Sequence, residues 1–435
     1  MTIDASSIET AQSLHEGWVE SPLGDIATLL SGSTPSSNVS AYWGGHVIWI
    51  TPRDLSSLGG ALIRSSERSL TEAGRSAASL PLVPKGALVL SSRAPIGHLG
   101  IADVPLTINQ GCKALVFGHG HDPVFHFYNL GFRMDRIRAR GEGTTFQEVS
   151  RKELAKVRMP YPTDVAEQRS IGAILLKIDA ALDSSRALLK KYQLLHDGLT
   201  AAMLTRGIDA AGALRSEDTH AFRRTPLGRL PIEWDAVPLG DVLRRIDYGL
   251  SVGMEVQGAV PILRMNNLVD AEVDISSLKF VDAEVAASRL LRQGDVLFNR
   301  TNSIEHVGRT AIWRSQLPVC TFASYLLRLV PDGSKLTNAF LNAAMNRGHV
   351  QDRLKQIATR GVQQANINPT NLRSFRIPLP SSVDEQQRIT DVLDRSGGAL
   401  ATIRQELEKL TRLKAGLMQA LLTRDIRTAP SAPYL

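Results

Sequence analysis

A handful of strings in this 435-residue chain carry side chains that could do chemistry. Phe117-Gly118-His119-Gly120 superficially resembles the glycine-rich turn that holds S-adenosylmethionine, but its glycine spacing is wrong. No Asn/Asp-Pro-Pro-Tyr/Phe tetrapeptide follows to grip a flipped adenine; Met159-Pro160-Tyr161-Pro162 marks the start of a helix instead. Pro331-Asp332-Gly333-Ser334-Lys335 looks like a compressed nuclease carboxylate–lysine motif, yet its composition spells a turn. His119, His121 and His126 could gather a metal, but no Cys or carboxylate arrangement surrounds them, and a solvated loop is expected. There is no Gly-x-x-x-x-Gly-Lys-Ser/Thr phosphate loop and no evident Ser/His/Asp grouping. A chain without a catalytic or metal site of its own is expected.

Bulk properties narrow the field further. Lys+Arg number 50 against 43 Asp+Glu, a formal net charge of +7, which fits nucleic acid or an acidic partner. Cys112 and Cys320 match neither a metal-ligand spacing nor a disulfide framework, which suggests a reducing compartment. The first residues are polar without an apolar signal core, and no apolar run nears the ~20 residues of a membrane span. A cytosolic protein with no membrane partner is expected.

The elements that must position any site are written twice. Trp18-Val19-Glu20-Ser21-Pro22-Leu23-Gly24-Asp25-Ile26 returns as Trp234-Asp235-Ala236-Val237-Pro238-Leu239-Gly240-Asp241-Val242, 216 positions later. Met159-Pro160-Tyr161-Pro162 returns as Ile377-Pro378-Leu379-Pro380, and Met203-Leu204-Thr205-Arg206 as Leu421-Leu422-Thr423-Arg424, both 218 later. Between these anchors the offset falls to 208, at Lys85-Gly86-Ala87-Leu88 and Gln293-Gly294-Asp295-Val296. Part of each repeat therefore tolerates length change, while the rest behaves as a fixed-length strut.

The strut is a helix. Ile171, Leu175, Ile178, Leu182, Leu189, Tyr192, Leu199 and Met203 recur in steps of four and three, with Ser185 and His196 filling the seam. The second copy runs Ile389, Leu393, Ser396, Leu400, Ile403, Leu407, Leu410, Lys414, Leu417 and Leu421 in the same register. Two matched seams of roughly five heptads, each ~55 Å long, favour mutual pairing. The seams do not reveal polarity; a pseudo-two-fold axis relating the repeats would make the pair antiparallel. Short apolar runs such as Val47-Ile48-Trp49-Ile50, Val260 to Leu263 and Val296-Leu297-Phe298, bounded by Gly, Pro, Ser or Asn, predict strands. The expected fold is α+β: two strand-rich globular domains in tandem repeat, separated by two long helices forming an antiparallel coiled coil with pseudo-two-fold symmetry. Expected boundaries are an N-terminal segment 1–16, a first domain 17–162, a central spacer helix 163–206, a linker 207–230, a second domain 231–380, a C-terminal spacer helix 381–424 and a tail 425–435.

Further strings carry a family resemblance. Ser33-Thr34-Pro35, Tyr42-Trp43-Gly44-Gly45 and Trp49-Ile50-Thr51-Pro52-Arg53-Asp54-Leu55, then Leu90-Ser91-Ser92-Arg93-Ala94-Pro95-Ile96-Gly97 and Ile108-Asn109-Gln110-Gly111-Cys112-Lys113, resemble a target-recognition domain of type I restriction–modification specificity (S) subunits. Val296-Leu297-Phe298-Asn299-Arg300-Thr301-Asn302-Ser303 and Val307-Gly308-Arg309-Thr310 resemble a sister version, although the second copy lacks the Asn-Gln-Gly-Cys-Lys string. Closing loops Gly143-Thr144-Thr145-Phe146-Gln147 and Gly361-Val362-Gln363-Gln364-Ala365-Asn366 lead to helix starts at Glu167-Gln168 and Glu385-Gln386. The resemblance spans nearly the whole chain, in order, twice. It implies a non-catalytic subunit that directs adenine-N6 methylation and restriction to a bipartite, asymmetric site on double-stranded DNA. It also implies two modification (M) subunits carrying S-adenosylmethionine and restriction (R) subunits using ATP and Mg, with no cofactor on this chain.

Contact residues are sought among polar groups of the closing loops and strand ends. Arg53, Arg93, Arg264, Arg300 and Lys113 suit guanine edges or phosphates, and Arg136, Arg138 and Arg140, with Arg133, could position the DNA backbone. Asn302, Asn366, Gln147, Gln363 and Gln364 suit adenine edges, with Thr144 and Thr145 beside them; Ser91 and Asn299 either touch DNA or cap turns. Two rivals remain from the residues alone: a solitary duplicated methyltransferase or nuclease, and a scaffold that uses the helices for protein partners.

Overall fold

A computed structural model describes residues 17–141, 148–361 and 364–425. Contacts divide the chain into two compact units, Met1–Leu188 with Ile403–Leu435, and Leu189–Thr402. In the first, Trp18–Pro22 pairs antiparallel with Arg158–Pro162, bringing both ends of the globular part together. A five-stranded sheet follows in the spatial order Ala27–Ser31, Cys112–Phe117, Leu88–Ser91, Leu99–Ala102, Leu62–Ile63. Leu88, Val89 and Leu90 are all fully buried, because a central strand covered on both faces needs an unbroken apolar run rather than an alternating one. A smaller sheet sets Trp43–Ile50 between Ser69–Leu70, antiparallel, and Thr107–Ile108, parallel.

The second unit repeats that plan with different residues. Trp234–Pro238 pairs with Arg376–Pro380. Its main sheet runs Leu243–Tyr248, Leu326–Pro331, Val296–Asn299, Thr310–Ile312, Glu272–Val273, with Leu268–Val269 added at the edge. Its small sheet sets Val260–Leu263 between antiparallel Lys279–Val281 and parallel Thr321–Phe322. Residues lost or gained between the anchors thus fall in connections, not in the strand order. The segment 207–230 is more ordered than a linker, containing the hairpin Phe222–Thr225 and Gly228–Pro231.

The long helices are Val165–Arg206 and Val383–Leu422. In the first unit Trp18, Phe125, Ile171, Leu175, Leu421 and Leu422 share one core, and Lys414 Nζ lies 2.6 Å from Asp179 Oδ1. In the second unit Met203, Leu204, Ile389 and Leu393 pack around Trp234, and His196 Nδ1 lies 2.9 Å from Ser396 Oγ. Seam residues Leu182, Leu400 and Ile403 are also buried, while Ile178, Leu189, Leu199, Leu407, Leu410 and Leu417 are half-buried. Tyr192 departs from the heptad expectation: it is 39% exposed, which an amphipathic ring tolerates at a helix surface.

Each helix also receives an arginine at its last turn. Arg133 Nη2 donates to the carbonyl of Leu422 at 2.6 Å, and Arg347 Nη1 to that of Leu204 at 3.1 Å. A cation there satisfies an orphan carbonyl and meets the negative end of the helix dipole. Burial lowers both guanidinium pKa values to about 10, which leaves them charged at neutral pH. Arg133 is thus a helix cap rather than a DNA contact. The histidine expectation also needs correction. His126 lies on the helix Pro123–Phe132, fully buried and stacked on Phe117 at 4.2 Å, with His121 Nδ1 3.1 Å from its Nε2. Aromatic packing, not hydration, claims His121 and His126, while His119 is exposed as a solvated loop residue would be.

Candidate nucleic-acid interface

Both domains send their candidate residues out from the end of the central strand. In the first, Ser91 closes Leu88–Ser91 and is fully buried; its Oγ donates to the Pro95 carbonyl at 2.9 Å and accepts from the N–H groups of Gly97 and His98 at 3.1 and 2.9 Å. Asn299 ends the matching strand, also fully buried, its Nδ2 3.4 Å from the Met265 carbonyl. Ser91 is therefore a turn-holding group, and Asn299 is tied inward to the Met265 segment; both lie below the surface, which corrects their candidacy.

The chain surfaces just beyond. Arg93 Nε donates to Glu148 Oε2 at 2.8 Å. Lys113, only 5% exposed, reaches Glu148 Oε1 at 3.5 Å, Ser92 Oγ at 3.2 Å and the Gln110 carbonyl at 3.3 Å. Burial pulls the Lys113 pKa down, against the pull of the Glu148 carboxylate. Glu148 thus ties the root of the closing loop to two strand ends through charge. In the second domain Asn366 stands 218 positions later and does the same work with an amide. Its Nδ2 donates to Thr301 Oγ1 at 2.7 Å, and its Oδ1 accepts from Arg300 Nη2 at 3.4 Å. Thr301–Asn302, Ala365–Asn366 and Thr359–Arg360 form a three-stranded sheet there, uniting Arg300, Asn302 and Asn366. Asn302 Oδ1 accepts from the Ser303 N–H at 2.8 Å, and Gln364 is exposed with its carbonyl taking the Gly361 N–H at 2.7 Å. Thr144, Thr145, Gln147 and Gln363 lie outside the described residues.

The remaining basic candidates divide. Arg53 pairs with Glu67 at 3.2 Å, Arg138 with Asp135 at 3.2 Å, and Arg140 with Glu153 at 3.6 Å. Arg138 also leans on the Ser91–His98 turn through the Ile96 carbonyl at 3.2 Å. Arg136 sits apart, holding Glu20 at 2.6 Å and the Arg158 carbonyl at 3.0 Å where the domain's ends meet. Such exposed pairs are worth ~0–1 kcal/mol, so a phosphate can replace the carboxylate at little cost. Arg264 and Arg300 have no carboxylate partner among the described residues; Arg264 Nη2 meets only the Ser277 carbonyl, at 3.3 Å.

Sequence reasoning missed one part of this surface. Trp43 and Trp49 meet edge to face at 5.1 Å, and the exposed Arg68 stacks 3.6 Å above the Trp43 ring centre. Both indoles donate into the loop after Gly32, Trp49 to the Ser33 carbonyl and Trp43 to that of Ser36, each at 3.1 Å. Thr34 Oγ1 in that loop donates to Gln110 Oε1, joining the aromatic platform to the Lys113 cluster. The tryptophans stand in the motif; Arg68 follows at a distance no spacing rule links to them.

Comparison with known proteins agrees. The sequence profile of the type I restriction modification DNA specificity domain matches residues 15–191 and 231–412. The type I restriction enzyme MjaIX specificity subunit of Methanocaldococcus jannaschii is 27% identical over 297 residues, covering 66% of this chain and 67% of that protein. The StySPI specificity subunit of Salmonella potsdam is 21% identical over 450 residues, covering 97% and 91%. The crystal structure of a type I restriction-modification system S subunit from M. genitalium superposes with a TM-score of 0.61 at 14% identity, over 95% of this chain and 98% of that one, a likeness of fold.

Proposed function

The chain belongs to the type I restriction–modification DNA specificity family, and from that premise we propose that it selects a bipartite, asymmetric site on double-stranded DNA and catalyses nothing itself. The observation that carries this reading is one strand order built twice with unlike residues at the loop roots, Glu148 with Arg93 and Lys113 in one domain, Asn366 with Arg300 and Thr301 in the other. Two readers of one design and different surface chemistry suit two different half-sites. Domains at 17–162 and 231–380 would each read one, and the helices of 163–206 and 381–424 would pair antiparallel as the spacer between them. Contacts inside each unit support that pairing, one residue number rising as the other falls. In the first, Ile171 and Leu175 share a core with Leu421 and Leu422 while Asp179 meets Lys414. In the second, His196 meets Ser396 while Met203 and Leu204 share a core with Ile389 and Leu393. Half-sites one helical turn apart, ~34 Å, present the same face of the duplex.

In this role the chain supplies the address and its partners supply the chemistry. Two M subunits would bring S-adenosylmethionine and adenine-N6 methyl transfer, and R subunits ATP, Mg and cleavage. No described helix is long and apolar enough to cross a membrane. The test is single-molecule sequencing of methylated adenines in cells expressing this chain with its cognate M subunit. A split motif methylated on both strands and lost on deleting this chain is expected; no motif despite an active M subunit would turn the reading toward a protein scaffold.

A further inference from the structure

We infer that Arg68 is a base-reading residue of the first recognition domain, held by Trp43 and Trp49 so that its guanidinium fork meets a guanine edge in the DNA major groove. The inference rests on the DNA-selecting function proposed above and adds to it a residue and a base.

Arg68 differs from the ion-paired arginines of the first domain. Arg53, Arg93, Arg138 and Arg140 are each held by a carboxylate, and Arg136 by Glu20. Arg68 has no carboxylate within ion-pair distance among the described residues, yet it is not loose. Its guanidinium carbon lies 3.6 Å from the Trp43 ring centre and 5.8 Å from that of Trp49. Its backbone is tethered too: Ser66 Oγ donates to the Arg68 carbonyl at 2.6 Å and accepts the Trp49 N–H at 3.2 Å. Trp49 is 4% exposed, so the platform is part of the core rather than a surface flap.

Stacking orients the guanidinium plane while leaving its in-plane N–H donors unspent. A bidentate arginine–guanine contact needs that geometry, and holding it in the free protein reduces the ordering cost on binding. Continuity places Arg68 on the reading surface. The platform's indoles hold the loop of Ser33 and Ser36, Thr34 in that loop bonds Gln110, and the Gln110 carbonyl meets Lys113, which reaches Glu148 at the closing-loop root. The second domain has a looser counterpart: the Arg300 guanidinium carbon lies 5.2 Å from the Tyr248 ring centre, likewise without a carboxylate among the described residues, but with Nη2 already donating to Asn366 Oδ1.

The test uses the full chain with its M subunit and the variants R68K and R68Q. Lysine keeps the charge but loses both the stack and the fork, so it separates base reading from phosphate attraction. Loss of one bidentate base contact, 1–3 kcal/mol, corresponds to roughly 5- to 150-fold weaker cognate binding. Both variants should show that loss, and methylated-adenine sequencing should show relaxed choice at one G·C pair in one half-site, the other half-site unchanged. R68K should keep the wild-type salt dependence. Wild-type affinity and motif in R68K would overturn the inference, as would uniform weakening in R68Q with a salt slope reduced by about one and an intact motif, the mark of a phosphate contact. If the wild-type chain itself directed no split motif, the DNA-selecting function would fail first, and Arg68 with it. Because Arg68 is exposed, melting curves matching wild type are expected and show that the fold is intact.

Discussion

Glu385 and Glu167 occupy matching helix positions, 218 apart, but carry very different loads. Glu385 is 4% exposed, and its carboxylate accepts from Trp234 Nε1 and the Ile208 N–H, each at 3.1 Å, and from both terminal nitrogens of the buried Arg215. Gly207 makes room for this knot at φ +62°, where an added Cβ would lie 2.3 Å from Glu385 Oε1. Half-buried Glu167 accepts from Trp18 Nε1 at 3.1 Å and has no cation within ion-pair distance among the described residues. Glu385→Gln keeps the shape and an acceptor for the indole but takes from the buried Arg215 its hydrogen-bonded carboxylate, leaving only the exposed Glu233 at 4.0 Å, and breaking such a buried pair costs about 3–5 kcal/mol. Glu167→Gln weakens one hydrogen bond, about 0.5–1.5 kcal/mol. At ~2–4 °C per kcal/mol for a unit of this size, the first should lower the melting temperature of the second unit by roughly 6–20 °C and the second that of the first unit by ~1–6 °C. Thermal unfolding followed by tryptophan emission reads both. Adding Arg215→Met to Glu385→Gln should recover most of the loss by removing the orphaned charge. Equal shifts for the two glutamines, or no recovery, would refute the reasoning.

Three further outcomes follow from the same structure. Arg133→Met and Arg347→Met should each cost about 1.5–3 kcal/mol, the worth of a charged hydrogen bond, and amide exchange should quicken in the last turns ending at Leu422 and Leu204 respectively. Leu182→Ala should cost ~2–5 kcal/mol because its side chain is 2% exposed, whereas Tyr192→Ala, 39% exposed, should cost under about 1 kcal/mol in urea unfolding. Burial holds His126 near a pKa of about 3, below the ~6.5 of the unfolded chain, so the unfolded state takes up the proton first. Its stabilising share is complete above pH 6.5 and erodes as pH falls toward 3, reaching about 2–3 kcal/mol of loss by pH 4.5; His126→Phe should flatten that part of the pH–stability curve.

The repeat, the helices and their shared register were legible because they are local or periodic. Trp18 and Trp234 announce the same ladder, and Leu182 and Leu400 the same seam. Spatial strand order was not legible: nothing in Leu88 to Ser91 says that Cys112–Phe117 flanks it on one side and Leu99–Ala102 on the other. The site was read by type and missed by depth. Ser91 and Asn299 have the right chemistry but face inward, and whether an arginine is ion-paired depends on an acid far along the chain, as with Arg136 and Glu20. Arg68 lacked any local signature, because its meaning comes from lying over Trp43. His126 misled because it was grouped with His119 and His121, which stand beside glycines ahead of Pro123 and read as wet, until Phe117 is seen stacked on it.

The ladder that joins Trp18–Pro22 to Arg158–Pro162 has a consequence for inheritance. The chain leaves and returns at one spot, so everything between behaves like a cassette clipped in by two adjacent ends. Recombination within those short stretches, which recur at Trp234–Pro238 and Arg376–Pro380, would replace a whole reader while both junction strands found their usual partner. A lineage built this way could exchange one whole globular domain in a single genetic event, without re-evolving the helices that carry it.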